Sequence, residues 1–169
     1  MELRLVGSEM CIRDSYIGEW LLLGNLGHFL TIISMMAAFL ATASFVMATR
    51  CENTNLDESI SWKKIGRISF LINFLAIVGI FIVLFVLIFY HRFEYKYVWQ
   101  HSSLTLPVHY MISCFWEGQE GSFLLWQFWT AFLGLILIAK AKKWESSVMS
   151  VFSFTQIFLA AMLIGIYFF

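Results

Sequence analysis

The sequence predicts an all-α integral membrane protein with about four transmembrane helices and a short interfacial helix. The chain is 60% hydrophobic and 13% charged, which leaves too little polar surface for a soluble domain of 169 residues. Its apolar runs are long enough to cross a hydrocarbon core of about 30 Å. Its charges cluster between those runs. The formal net charge is +0, so composition gives no basic surface for binding nucleic acid.

The first fifteen residues are set apart from the membrane domain, which we assign to residues 16–169. Residues 1–15 have neither helical periodicity nor the apolar core of a signal peptide, and they resemble a translated sequencing adapter. The alternative is a short native tail. The fourth span reaches Phe169 without a polar flank, so we expect the chain to be a fragment of a longer multi-span protein. The predicted spans are about 20–47, 68–90, 122–139 and 148–169, with an outer loop over 91–121.

Each span has its own composition. The later part of the first span is rich in alanine and serine, which favours close helix packing in lipid. The second is almost entirely Ile, Leu, Val and Phe, and we expect its one amide, Asn73, to donate to a neighbouring helix. Gly118 and Gly121 let the chain turn into the third span, where Ser122 is the predicted N-cap. The fourth span begins near Val148.

Lysine and arginine predict the orientation. The connection over residues 48–67 carries Arg50, Lys63, Lys64 and Arg67, and the connection over 140–147 carries three lysines. The longer outer loop has only one arginine and one lysine. The positive-inside rule therefore places the first two connections in the cytoplasm and loop 91–121 in the periplasm, across a bacterial inner membrane.

The outer loop has a helical pattern of its own. Pro107 is suited to the first turn of a helix, because its missing N–H needs no partner there. The residues that follow alternate between an apolar and a polar face at helical spacing, which predicts an amphipathic helix lying in the interface. Its apolar face would hold Val108, Met111, Ile112 and Phe115.

The segment over residues 116–126, at the mouth of the third span, indicates a functional site. It combines two carboxylates, an amide, two glycines, a hydroxyl and two indoles. Such a cluster at the lipid boundary costs desolvation free energy unless something engages it. The candidate site residues are Trp116, Gln119, Glu120, Gly121, Ser122 and Trp126, together with Pro107 and Tyr110.

These residues resemble the start of the CcmF family. The resemblance is carried by Leu106-Pro107-Val108, by Tyr110, and by the pattern Trp-x-x-Gln-Glu-Gly-Ser-x-x-Leu-Trp over residues 116–126. That family is the haem-handling, or haem lyase, subunit of bacterial cytochrome c maturation. The resemblance implies that the complete protein binds haem and receives it from a periplasmic haem chaperone. It also implies that the protein attaches haem to apocytochrome c together with other maturation subunits.

The sequence also departs from the family. The tryptophan-rich haem motif and the paired histidine ligands of CcmF are absent, and none of His28, His91, His101 and His109 matches them. The resemblance therefore places the haem ligands outside this chain, and we predict neither a catalytic residue nor a metal ligand within it. We also expect that this chain alone is inactive and does not bind haem.

The role of the motif stays open between two interpretations. In the functional one, the motif contacts a haem edge, a propionate or a partner's backbone. In the structural one, Glu120 and Ser122 only satisfy backbone groups and the indoles set the depth in the membrane. The alternative functions are a membrane scaffold that docks partner subunits without haem contact, and a transporter fragment. A transporter would need ionisable residues deep in the spans, whereas these charges lie in the flanks.

Overall fold

The computed structural model describes residues 22–52, 54–90 and 118–168. Every regular element in this part of the chain is helical. Four of these helices are long and apolar enough to cross a membrane, which confirms the predicted fold class. Residues 1–15 and the predicted interfacial helix lie outside the described residues. The elements are α1 (Leu22–Cys51), α2 (Leu56–Phe89), α3 (Gln119–Lys140), a 3-10 helix (Lys142–Trp144) and α4 (Glu145–Phe168).

The four helices form an antiparallel ring in the order α1, α2, α3, α4, with α4 closing against α1. In the α1–α2 pair, Ser59 near the start of α2 donates a hydrogen bond of 2.9 Å to the carbonyl of Ala48 near the end of α1. In the α3–α4 pair, the side chain of Gln156 donates a hydrogen bond to the backbone carbonyl of Gln127. Because neighbouring helices alternate in direction, the two short connections lie at one end of the bundle. The long connection between α2 and α3 starts and finishes at the other end.

Two apolar clusters fill the bundle. The cluster nearer the long connection joins buried residues of α2, α3 and α4, and the second joins buried residues of α1, α2 and α4 nearer the short connections. Small side chains on α1 are buried, which gives the close packing expected from its composition. The outer surface of the bundle is also apolar, as lipid requires. The second cluster consists of Ala41, Phe45, Phe70 and Met149.

One glycine permits an especially close contact between helices. A Cβ atom built on Gly134 of α3 would lie 2.7 Å from Cε1 of Phe70 on α2, and nearer still to its Cζ. Phe70 is fully buried, so its ring has little room to retreat. The absence of a side chain at this position therefore sets how closely α3 approaches α2.

An ion pair joins α2 to α4 at the end with the short connections. Nε and Nη2 of Arg67 each donate a hydrogen bond of 2.6 Å to the carboxylate of Glu145. The Glu145 side chain is 3% exposed and lies in the first turn of α4, where the helix dipole favours a negative charge. The two parallel bonds give this pair the fixed geometry of a bidentate arginine–carboxylate contact.

Candidate functional site at the start of α3

Helix α3 begins at Gln119, three residues before the predicted start. Gly118 occupies the N-cap position with extended backbone angles of φ −85° and ψ 163°. Ser122 is therefore not the N-cap, and the prediction was wrong on this point. Its N–H donates a hydrogen bond of 3.2 Å to the carbonyl of Gly118, which places it in the first turn. Glycine is accepted at an N-cap, and these backbone angles lie in the extended region that any residue can adopt.

The first two turns of α3 divide the predicted motif between two faces of the helix. Gly118, Gly121 and Leu124 are buried and follow one another at intervals of three residues along the inner face. Gln119 and Trp126 are exposed and seven residues apart, which is about two turns. The structure thus uses Gly121 for packing and presents Gln119 and Trp126 outward, with the half-buried Ser122 between them.

The outward side chains continue along the helix as an aromatic surface. We call this surface the outer α3 face and define it by Gln119, Trp126, Trp129 and Leu133. Trp126 is 62% exposed, Trp129 53% and Leu133 50%. The Trp126 ring meets Phe123 edge to face, with the ring centroids 6.0 Å apart. Phe123 in turn packs against the core, so the outward indole rests on a ring that belongs to the bundle.

The outer α3 face combines a carboxamide at its rim with two indoles below it. Such side chains present flat apolar area with few rotatable bonds, and each indole adds one N–H donor. These features suit a flat apolar ligand or an apolar protein segment with polar groups at its border. The face begins at the end of the bundle with the long connection, because Gln119 is the first residue of α3, and it extends along the helix to Leu133.

Part of the predicted site lies outside the described residues. Pro107, Tyr110 and Trp116 belong to the segment over residues 91–117. Glu120 is described only as part of the helical backbone of α3. The functional roles of these four residues stay predictions. Among the remaining candidates, the structure places Gln119 and Trp126 on one surface and turns Gly121 away from it.

Behind the outer α3 face, a chain of buried polar side chains crosses the bundle. We call it the central polar chain and define it by Ser34, Asn73, Gln127 and Gln156, one residue from each helix. Ser34 Oγ donates to Asn73 Oδ1 at 2.7 Å and accepts from Gln127 Nε2 at 3.1 Å. Gln156 Nε2 donates to the backbone carbonyl of Gln127 at 3.0 Å. All four residues are 0–1% exposed.

Of the central polar chain, only Asn73 was predicted from the sequence. Asn73 faces the bundle as expected, but it accepts a hydrogen bond where we predicted that it would donate one. Within the described residues, its Nδ2 has no hydrogen-bond partner, and neither does Oε1 of Gln127 or Gln156. The missed residues carried the same signal as Asn73, since each is a polar side chain within an apolar run. Trp126 and Gln127 are adjacent, so one turn of α3 serves both the outer face and the polar chain.

The described residues do not fit a haem iron by themselves. They contain one histidine, His28, which is exposed on α1. Nowhere in the described ranges do three or more His, Cys, Asp or Glu side chains come together in a way that could hold a metal ion.

Comparison with known proteins gives one match in sequence and one in structure. The chain is 41% identical over 46 residues to the cytochrome c-type biogenesis protein CcmF of Haemophilus influenzae. That match covers 27% of this chain and 7% of the relative. No protein-family model matches the chain.

The structural match extends over most of the chain. The fold superimposes on a solved cytochrome c haem lyase CcmF with a TM-score of 0.74, at 20% sequence identity. The superposition covers 88% of this chain and 25% of the solved one. The chain therefore shares the fold of part of CcmF and spans about a quarter of that structure. Together the two matches confirm the resemblance to CcmF that the motif residues indicated.

Proposed function

We propose that this chain is part of a CcmF-type haem lyase subunit that acts in cytochrome c maturation. The observation that carries the proposal is the combination of 41% identity over 46 residues with a shared fold over 88% of the chain. In this proposal the complete protein binds haem through residues beyond those described. It receives haem from a periplasmic haem chaperone and attaches it to apocytochrome c with other maturation subunits.

The arrangement of the helices supports an orientation in the bacterial inner membrane. Antiparallel packing brings the basic connections after α1 and after α3 to the same end of the bundle. A positive-inside orientation requires this arrangement. With that end in the cytoplasm, the start of α3 opens on the periplasm. The outer α3 face then lies on the side where the proposed partners work.

We assign to the outer α3 face the task of contacting a partner or the haem edge. Trp126 is 62% exposed and rests on Phe123, so its indole adds little to the packing of the bundle. A side chain in this position contributes binding area to whatever covers it, because its large apolar ring is exposed and Phe123 packs against one side of it. Gln119 provides the polar group at the rim of the same surface.

The test replaces Trp126 by alanine in the protein produced from its complete gene. A matched control is Phe154→Ala on α4, because Phe154 is 65% exposed and is likewise an outward aromatic residue. Three quantities are measured for each variant. They are the yield of c-type cytochromes by haem staining, the haem absorbance of the purified protein, and the midpoint at which the purified protein unfolds in denaturing detergent. We expect Trp126→Ala to lower the cytochrome yield without moving the unfolding midpoint, and Phe154→Ala to change neither.

The pattern of losses distinguishes the possible contacts. A lower cytochrome yield with unchanged haem absorbance identifies the face as a docking surface for a protein partner. A lower cytochrome yield together with a lower haem absorbance identifies a haem contact. If Trp126→Ala behaves like Phe154→Ala in every measurement, the assignment of this face is wrong and the motif is structural. Normal cytochrome maturation in cells that lack the whole gene would overturn the proposed function itself.

A further inference from the structure

The turn between α3 and α4 concentrates exposed positive charge. Lys140, Lys142 and Lys143 are all exposed, and Trp144 beside them is 70% exposed. Lys142 adopts a positive φ of 41°, a conformation that residues other than glycine, asparagine and aspartate seldom take. The chain thus holds a lysine where a glycine would fit the backbone better.

No described carboxylate neutralises these lysines. Within the described ranges, this end of the bundle carries seven Lys and Arg side chains against four carboxylates, a difference of +3. The ion pairs there are Lys63 with Glu52 and Arg67 with Glu145. Glu145 follows the lysine turn directly, but both of its oxygens accept hydrogen bonds from Arg67. The lysine turn therefore presents uncompensated cations at the end of an apolar bundle.

An open apolar groove runs along α4 next to the lysine turn. It is lined by Ser147, Val148, Val151 and Phe152. Val151 is 63% exposed although it lies well inside the apolar part of the helix. At 1.5 Å per residue, Val151 lies about 9 Å along the helix axis from Glu145, the first residue of α4 after the lysine turn. That separation matches the step from a phospholipid headgroup to the upper part of its acyl chain.

From these three features we propose that the lysine turn and the adjoining groove form a binding site for an anionic phospholipid. The ammonium groups of Lys142 and Lys143 bind the lipid phosphate. The Trp144 ring lies at the level of the headgroup, as tryptophan does at membrane interfaces. One acyl chain packs along Val148, Val151 and Phe152. The site is separate from the outer α3 face, whose polar rim at Gln119 lies at the opposite end of the bundle.

The test measures lipid binding to the purified full chain in neutral detergent. Native mass spectrometry counts the phosphatidylglycerol or phosphatidylcholine molecules that stay bound, and the thermal midpoint is followed as either lipid is added. We expect phosphatidylglycerol to bind more tightly than phosphatidylcholine. Replacing Lys142 and Lys143 together by glutamine should weaken the binding of phosphatidylglycerol about 30-fold, because each lysine near an anionic headgroup raises the affinity about fivefold.

Three further variants separate a built site from general attraction. A Lys142→Arg and Lys143→Arg double variant keeps both charges and should retain binding. An Arg50→Gln and Lys64→Gln double variant removes the same charge elsewhere at this end and should also retain it. Val151→Trp fills the groove and should weaken lipid binding without a change in charge.

The proposal is overturned if the Arg50 and Lys64 variant loses as much affinity as the Lys142 and Lys143 variant. It is also overturned if Val151→Trp leaves phosphatidylglycerol binding unchanged. Inorganic phosphate is the remaining probe. If phosphate raises the thermal midpoint as much as phosphatidylglycerol does, a lipid site is contradicted. These measurements follow lipid binding alone, so their result does not depend on the proposed role in cytochrome maturation.

Discussion

The ion pair between Arg67 and Glu145 should be asymmetric in its effect on stability. The Arg67 side chain is 49% exposed, whereas the Glu145 side chain is 3% exposed. Replacing Arg67 by methionine keeps the apolar part of the side chain but leaves a buried carboxylate without its cation. Replacing Glu145 by glutamine leaves an arginine that can turn toward water. Arg67→Met should therefore lower the free energy of unfolding by more than Glu145→Gln does.

The magnitudes follow from the exposure of the two partners. Removing one partner of a fully buried ion pair costs about 3–5 kcal/mol. Solvent reaches Arg67 and screens the pair, and the start of α4 partly stabilises the remaining carboxylate, so we expect a cost of about 2 kcal/mol for Arg67→Met. Glu145→Gln should cost about 1 kcal/mol, since the amide keeps a polar oxygen and the arginine is rehydrated. The double variant should be no less stable than Arg67→Met alone, because it contains no stranded charge.

The assay is reversible unfolding of the purified protein in mixed micelles of a neutral detergent and dodecyl sulfate, followed by tryptophan fluorescence. The free energy of unfolding is compared among the parent, the two single variants and the double variant. If Glu145→Gln were as costly as Arg67→Met, or more so, the burial argument would fail. A double variant much less stable than Arg67→Met would show that the two residues act independently.

Three further predictions concern packing, the polar chain and the turn, and each is read from the same unfolding measurement. Gly134→Ala should destabilise the protein by about 1–3 kcal/mol, because the new methyl group overlaps the buried ring of Phe70. Gly165→Ala is the control and should not destabilise the protein, because no atom lies within 4 Å of its new Cβ. Equal effects of the two substitutions would contradict the clash. Ser34→Ala should cost about 1–2 kcal/mol, because it removes one hydroxyl that serves two carboxamides, and an unchanged unfolding free energy would show that neither bond matters. Lys142→Gly should raise the free energy of unfolding by about 1 kcal/mol, since glycine adopts a positive φ without strain, and a loss would indicate that the lysine side chain stabilises the turn.

Some features of this protein could be predicted from the sequence because they depend on composition along the chain. The requirement that lipid-facing segments be apolar and continuous makes the existence and number of the helices visible without coordinates. Close packing of α1 was expected from its alanines and serines, and Asn73 was expected to face inward. The segment around Trp126 was recognisable because polar and aromatic residues are unusual together at a lipid boundary.

Other features could not be predicted, because they depend on which helix faces meet. Helix α3 starts at Gln119 and not at Ser122, because the N–H of Ser122 already donates a helical hydrogen bond to the carbonyl of Gly118. The pairing of Arg67 with Glu145 joins residues 78 positions apart, and no local pattern announces it. The direction of the hydrogen bond to Asn73 was also predicted wrongly, because its partner hydroxyl comes from another helix.

The sequence by itself determined that the chain forms membrane-spanning helices and which end of α3 bears the unusual polar residues. These properties follow from the transfer free energy of side chains and backbone into lipid, which is set residue by residue. Only the tertiary structure decided that Trp126 points outward while Gln127 points into the bundle. It also decided that Arg67 of α2 pairs with Glu145 of α4. Such relations arise when helix faces pack together, since burial of one side chain depends on the shape and polarity of residues far away in the chain.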